Sequence, residues 1–250
     1  MPLVAAGVRK RYGSVVALTD ADLCVPAGAI VGLVGPNGSG KTTLLEAVAG
    51  LVAVDAGKIE VMGSPAGSAA ARGASVLVPD EPTGLDELTV EEHIALVHAL
   101  WRTGAGAVAR AEALVSAFGL GPRRRQRLGT LSRGLRRQAS AAAALSLAPP
   151  LVLVDEATAT LDPEAVVVLG EALATLAAGG CGVLLATQDL HFAGAVCHEL
   201  VLLDHGVVVD RGEPGALQAR HDARSLEEAF LAAIGELGLR ERVRGELAAF

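Results

Sequence analysis

Short apolar runs bounded by glycine or proline alternate along this chain with longer Ala- and Leu-rich stretches whose apolar positions recur at helical spacing. Residues Ala29–Val34, Ser75–Val78, Leu151–Val154 and Gly182–Thr187 are apolar at successive positions, the pattern of strands buried on both faces of a parallel sheet. Each leads through a turn into a helical pattern, which predicts βαβ units. Leu200–Asp204 and Val207–Asp210, separated by His205-Gly206, predict a hairpin, and Lys58–Met62 ahead of Gly63 predicts a short antiparallel element near the start. Between Thr89 and Pro149 helical spacing stands alone, over Val90–Trp101, Ala107–Phe118 and Leu135–Leu147. After Gly215 the spacing stays helical to the end, with Ser225 and Glu228 placed as a capping box. The expected fold class is α/β: a mostly parallel core sheet with helices, an N-terminal antiparallel β part and a helical insertion. The expected organisation is an α/β core of residues 1–82 and 151–215, a helical segment of 83–150 and a helical tail of 216–250.

Composition narrows the function classes. Of 250 residues, 51% are hydrophobic and 20% charged, which excludes the composition of a disordered chain. A net charge of −7 disfavours a general nucleic-acid binder. Mean hydropathy is +0.45. Even so, Ala139–Leu147 and Leu151–Val154 are broken by Pro149-Pro150, and no run reaches the roughly 18–20 residues of a spanning helix. No hydrophobic segment of signal-peptide length precedes the first charges. Cys24, Cys181 and Cys197 have neither metal-ligand spacing nor an even number for disulfides, and read as small hydrophobes in a reducing compartment. A soluble cytosolic protein is expected. Seven arginines within Arg123–Arg137 read as a solvated loop and helix face.

Candidate chemistry begins at Gly35-Pro36-Asn37-Gly38-Ser39-Gly40-Lys41-Thr42, which fits G-x-x-x-x-G-K-S/T between a buried strand and the helical pattern Thr43–Gly50. Glycines let the backbone fold so that successive N–H groups point at phosphate oxygens. Lys41 would reach the β- and γ-phosphates, and the Thr42 hydroxyl would coordinate Mg²⁺. Asp155, at the end of a second buried strand, is placed to hold Mg²⁺ through water, and Glu156 to orient an attacking water.

With these motifs the chain resembles, over nearly its whole length, the ATP-binding subunit of an ABC transporter, a phosphate-loop NTPase. Leu131-Ser132-Arg133-Gly134-Leu135 is similar to that family's signature motif, with Arg133 in place of the usual Gly and Leu135 in place of Gln. Ala159-Thr160-Leu161-Asp162-Pro163 is similar to the loop that crosses the dimer interface. The resemblance implies that Tyr12 stacks on adenine, that residues 35–42 and Thr43 cradle the phosphates of ATP, and that Ser132 and Gly134 bind the γ-phosphate held by a partner subunit. It implies a head-to-tail homodimer or heterodimer enclosing two ATP molecules. It also implies an ATPase bound to the inner face of the cell membrane through separate permease subunits. Ser225–Gly235 resembles the end of subunits that drive drug, antibiotic or lipid-type exporters. The guanine motif N-K-x-D of GTPases and the H-R-D loop of kinases are absent from the sequence.

Two family positions carry other residues. Asp80 stands where a Gln contacts Mg²⁺, offering a harder oxygen ligand but adding negative charge beside a triphosphate. Gln188 stands where a switch His is usual, and keeps a neutral donor while losing any ability to carry a proton. His191, three residues on, reads as a surface residue. The leading expectation is a catalytic subunit driving export, with Glu156 and Gln188 at the reaction centre and Thr42, Asp155 and Asp80 around Mg²⁺. The alternative is a non-catalytic or slow half of a heterodimer. An ATPase of translation or DNA repair ranks last, because those usually fuse two cassettes or carry long insertions.

Overall fold

The computed structural model describes residues 1–81, 86–156 and 158–235. Strands β1 (Leu3–Tyr12) and β2 (Val15–Val25) form an antiparallel hairpin, and β3 (Ile30–Val34) then runs into α1 (Lys41–Val48). Next come β4 (Ala56–Val61), β5 (Ser64–Pro65), α2 (Ala69–Gly73) and β6 (Ser75–Val78). Helices α3 (Val90–Trp101), α4 (Ala105–Ala117) and α5 (Arg133–Leu145) follow, with single 3-10 turns at Gly121–Arg123 and Leu128–Thr130. The chain continues through β7 (Leu151–Asp155), α6 (Pro163–Ala178), β8 (Gly182–Thr187) and α7 (Leu190–Val196). It closes with β9 (Glu199–Asp204), β10 (Val207–Gly212), α8 (Pro214–Arg220) and α9 (Leu226–Ala233).

One sheet is antiparallel in the order β2-β1-β4-β5, and the other runs β10-β9-β3-β8-β7-β6. All pairs of the second sheet are parallel except β9 with β10. The central strands look apolar throughout because alternate residues enter two different cores. Ile30, Val34, Val152, Val154, Val183 and Leu185 pack with α5, α6 and α7. Val31, Leu33, Leu151, Leu153, Leu184 and Ala186 pack with α1 and the antiparallel sheet. Val90, Val115 and Phe118 of the helical segment belong to the first of these cores, so that segment is welded to the sheet.

β1 and β2 were harder to foresee than the antiparallel element around Lys58. Leu3 and Ala5 face inward, but the next inward residue is Val8, because Gly7 at φ +62° shifts the register and breaks the alternation of period two. Helix α3 starts on a capping box: Thr89 Oγ1 accepts from Glu92 N at 3.2 Å, and Glu92 Oε2 accepts from Thr89 N at 2.8 Å. At α9 only half of the expected box forms. Ser225 Oγ accepts from Glu228 N, but the Glu228 carboxylate accepts from Arg224 N, one residue early. The tail is also interrupted between α8 and α9, where Asp222 takes φ +49°. The start of the helical segment near residue 83 and tail residues 236–250 lie outside the described residues.

The arginine-rich stretch is the expected solvated face at six of its seven arginines, and Arg137 departs from it. Arg124 pairs with Glu112, Arg127 with Glu87 at 3.1 Å, Arg133 with Glu81 at 2.6 Å and Arg136 with Asp86 at 3.4 Å. Arg137 is wholly buried. Cys181 and Cys197 are buried and Cys24 is half-buried, all three as free thiols, and burial pushes the Cys197 thiol up to about 12. Among the described residues, no helix is long and apolar enough to cross a membrane.

Candidate functional site

Parallel strands deliver their following residues to one edge of the sheet, where open α/β sheets bind ligands. β3 leads into the glycine loop, β8 into Gln188, β7 ends on Asp155 with Glu156 next, and β6 leads toward Asp80. Register fixes their order: Val34 lies opposite Thr187, Asp155 opposite Ala186, and Val78 opposite Val154. Residues distant in sequence are therefore neighbours, and a small cavity is lined jointly by Gly35, Pro36, Gln188 and Phe230 of α9.

Gly40 makes the turn from loop to helix possible. Its φ is +107°, and a Cβ there would lie 2.4 Å from the Ala17 carbonyl oxygen on β2. Among the described residues no side chain caps the start of α1, which leaves its first N–H groups open to an anion. Lys41 is buried, and its Nζ donates to the carbonyl oxygens of Gly35 at 2.8 Å and Pro36 at 3.1 Å. It also forms an ion pair of 3.1 Å with Glu156 Oε1. The Ser39 hydroxyl is buried and has no hydrogen-bond partner among the described residues. Pro36, Asn37, Gly38 and Thr42 are exposed at the mouth of the loop, and Thr43 is half-buried.

Glu156 sits at φ +42°, a left-handed conformation that is strained for a glutamate and held here by the strand ends around it. Its N–H donates to the Ala186 carbonyl at 2.9 Å, and its Oε2 accepts from the Gln188 backbone N–H at 3.2 Å. That contact is made by the Gln188 backbone, so it does not depend on the side chain at this position. The loop carrying Gln188 is fixed because Thr187 Oγ1 accepts from Asp189 N and Asp189 Oδ1 accepts from Phe192 N. His191 is exposed on α7.

Asp155 is buried and its Oδ1 has no hydrogen-bond partner among the described residues. Burial pushes its carboxyl up, and a hydrogen bond with Thr42 works against that; the charges of Glu156 and Asp80 raise it further while Lys41 lowers it. A desolvated, under-coordinated carboxylate beside a threonine hydroxyl fits a hard dication, so the donors present suit Mg²⁺. Asp80 is directed elsewhere: its Oδ1 is paired with Arg137 of α5. Arg137 was not among the expected site residues. Its signal was position: α5 is buried at every residue from Arg137 to Leu145, so Arg137 opens the Ala-rich stretch that is enclosed on all sides.

Two further groups lie apart from the loop. Tyr12 is 46% exposed at the turn of the first hairpin, with Lys10 Nζ 5.1 Å from its ring centre. It pairs with Val15, close before the Ala17 that abuts Gly40. Ser132 caps α5, its exposed Oγ accepting from Leu135 N at 3.3 Å. A Cβ on Gly134 would lie 2.6 Å from the Thr160 carbonyl, so the start of α5 sits directly against the 158–162 loop. Among the described residues, no hydrogen bond or ion pair links Ser132 or Gly134 to residues 35–43 of the same chain.

A buried strand that turns through glycines into an uncapped helix, with a buried lysine facing an Asp-Glu strand end, defines a phosphate-loop nucleoside triphosphatase. Residues 18–159 match the family model described as ABC transporter, and the chain belongs to that family. It is 33% identical over 256 residues to the doxorubicin resistance ATP-binding protein DrrA of Mycobacterium tuberculosis, covering 95% of this chain and 76% of that one. It is 33% identical over 228 residues to the Nod factor export ATP-binding protein I of Rhizobium sp. (strain N33), across 90% and 75%. A solved structure described as the ATP binding subunit of an ABC transporter matches with a TM-score of 0.88 at 28% identity, over 94% of this chain and 100% of that one. The chain is an ATP-binding subunit of this family and an ATPase.

Proposed function

We propose that the chain binds Mg-ATP in a head-to-tail dimer and hydrolyses it to drive export through separate permease subunits at the cytoplasmic face of a membrane. One observation carries this reading. Lys41, Asp155 and Glu156 are assembled on one edge of the sheet, whereas Ser132 and Gly134 stand at the start of α5 with no bond to that edge. A second chain would supply the missing signature. Export is supported by the relatives named for drug resistance and Nod factor export.

In this reading residues 35–43 bind the phosphates and Tyr12 the base. Thr42 and Asp155 hold Mg²⁺, which neutralises charge on the triphosphate when bound. Glu156 takes a proton from the attacking water, and Gln188 holds Glu156 in place through its backbone N–H. The α/β core of 1–82 and 151–215 carries the chemistry, the helical segment 83–150 meets the permease, and 216–250 is the tail.

ATP hydrolysis measured against protein concentration tests the proposal. Specific activity should climb and then level off as chains pair; specific activity independent of concentration would contradict a site built from two chains. Gln188→His should raise turnover several-fold, because a protonatable donor joins a Glu156 whose backbone support is already in place. Unchanged turnover in that variant would show that Gln188 does not limit the chemistry.

A further inference from the structure

Arg137 is the one arginine of its cluster with no exposed surface. Its Nε donates to the Asp80 carbonyl oxygen at 3.0 Å, and its Nη2 donates to that same carbonyl and to Asp80 Oδ1. The remaining nitrogen, Nη1, is buried and has no hydrogen-bond partner among the described residues. Burying a guanidinium is costly, and packing alone would favour an apolar side chain at this position on α5. The exposed pairs Arg133–Glu81 and Arg136–Asp86 tie the same stretch of chain to α5, but solvated pairs of that kind contribute little. Arg137 is the strong and specific contact among them.

The location of Asp80 shows what that contact does. Val78 lies opposite Val154, so Asp80 leaves β6 alongside Asp155 and Glu156. An unpaired Asp80 would place three carboxylates against the single Lys41 at the edge where a triphosphate binds. We infer that Arg137 is a positioning residue for the nucleotide site: it cancels the charge of Asp80 and fixes that carboxylate against α5. The nucleotide then meets Asp155 and Glu156 but not a third free anion. This inference rests on the reading of this edge as the Mg-ATP site.

Binding of a fluorescent ATP analogue to the full chain, in EDTA and in saturating Mg²⁺, tests it through the sign of the effect. Arg137→Met exposes the charge of Asp80, so metal-free affinity should fall by about tenfold, with a smaller loss when Mg²⁺ is present. Asp80→Asn leaves the guanidinium uncompensated, so metal-free affinity should rise by a factor of the same order. The double variant should return to near wild type. Affinity that falls in both single variants, or falls equally with and without Mg²⁺, would reduce Arg137 to a structural prop and overturn the inference. If Arg137→Met does not fold, Asp80→Asn decides alone: tighter metal-free binding supports the inference and weaker binding overturns it. Failure of the wild-type chain to bind the analogue would overturn the site itself and this inference with it.

Discussion

Replacing Lys41 with alanine should abolish measurable ATP binding. The ammonium is buried and held at three points, by the Gly35 and Pro36 carbonyls and by Glu156, so it is already aimed across the mouth of the loop. Charge-assisted hydrogen bonds from such a group to phosphate oxygens are worth about 1.5–3 kcal/mol each, and the loss of two lowers affinity on the order of a hundredfold or more. The truncation has a second consequence. Glu156 then loses its counter-charge, so the edge becomes more repulsive to a triphosphate as well as less attractive. Calorimetric titration with ATP and Mg²⁺ is the check. Affinity equal to wild type would remove the phosphate loop from the account altogether.

Glu156→Gln should separate binding from chemistry. Glutamine fills the same space and still accepts from the Gln188 backbone N–H, but it takes no proton from water. Removing one positioned acid–base group lowers turnover by about 10²–10⁴. Binding should hold or improve, because in the free chain Glu156 competes with the nucleotide for Lys41, and the neutral amide releases that lysine. Phosphate release and nucleotide affinity, measured on the same preparation, give both halves of the result. Turnover within about twofold of wild type would show that another group activates the water.

How much of this could be read from the sequence follows from where each signal lies. The central strands were legible because burial on both faces leaves an unbroken apolar run, and the glycine loop because its residues are consecutive. Helix α3 matched its expected limits because thirteen residues, Thr89 cap included, carry one periodic pattern. β1 was obscured by the register shift at Gly7, which breaks the alternation that marks a strand. The Lys41–Glu156 pair depends on strand order, which places β3 and β7 on either side of β8. Asp80 was expected to face the metal, and only the fold shows its carboxylate bound to a buried arginine from another helix. Arg137 was hidden by its own neighbours, since an arginine-rich run suggests solvent and conceals the one member that begins the buried stretch of α5.

The most direct measurement mixes two disabled chains. A Lys41→Ala chain keeps Ser132 and Gly134, and a Ser132→Arg chain keeps its phosphate loop; each alone should hydrolyse ATP at background. Head-to-tail pairing predicts that the mixture regains roughly a quarter of wild-type activity, since half of randomly formed dimers are mixed and each has one intact site of two. Ser132→Arg also removes a helix cap worth about 1 kcal/mol, so its thermal unfolding is compared with wild type first. A mixture of folded chains that stays at background would contradict a site shared between phosphate loop and opposing signature.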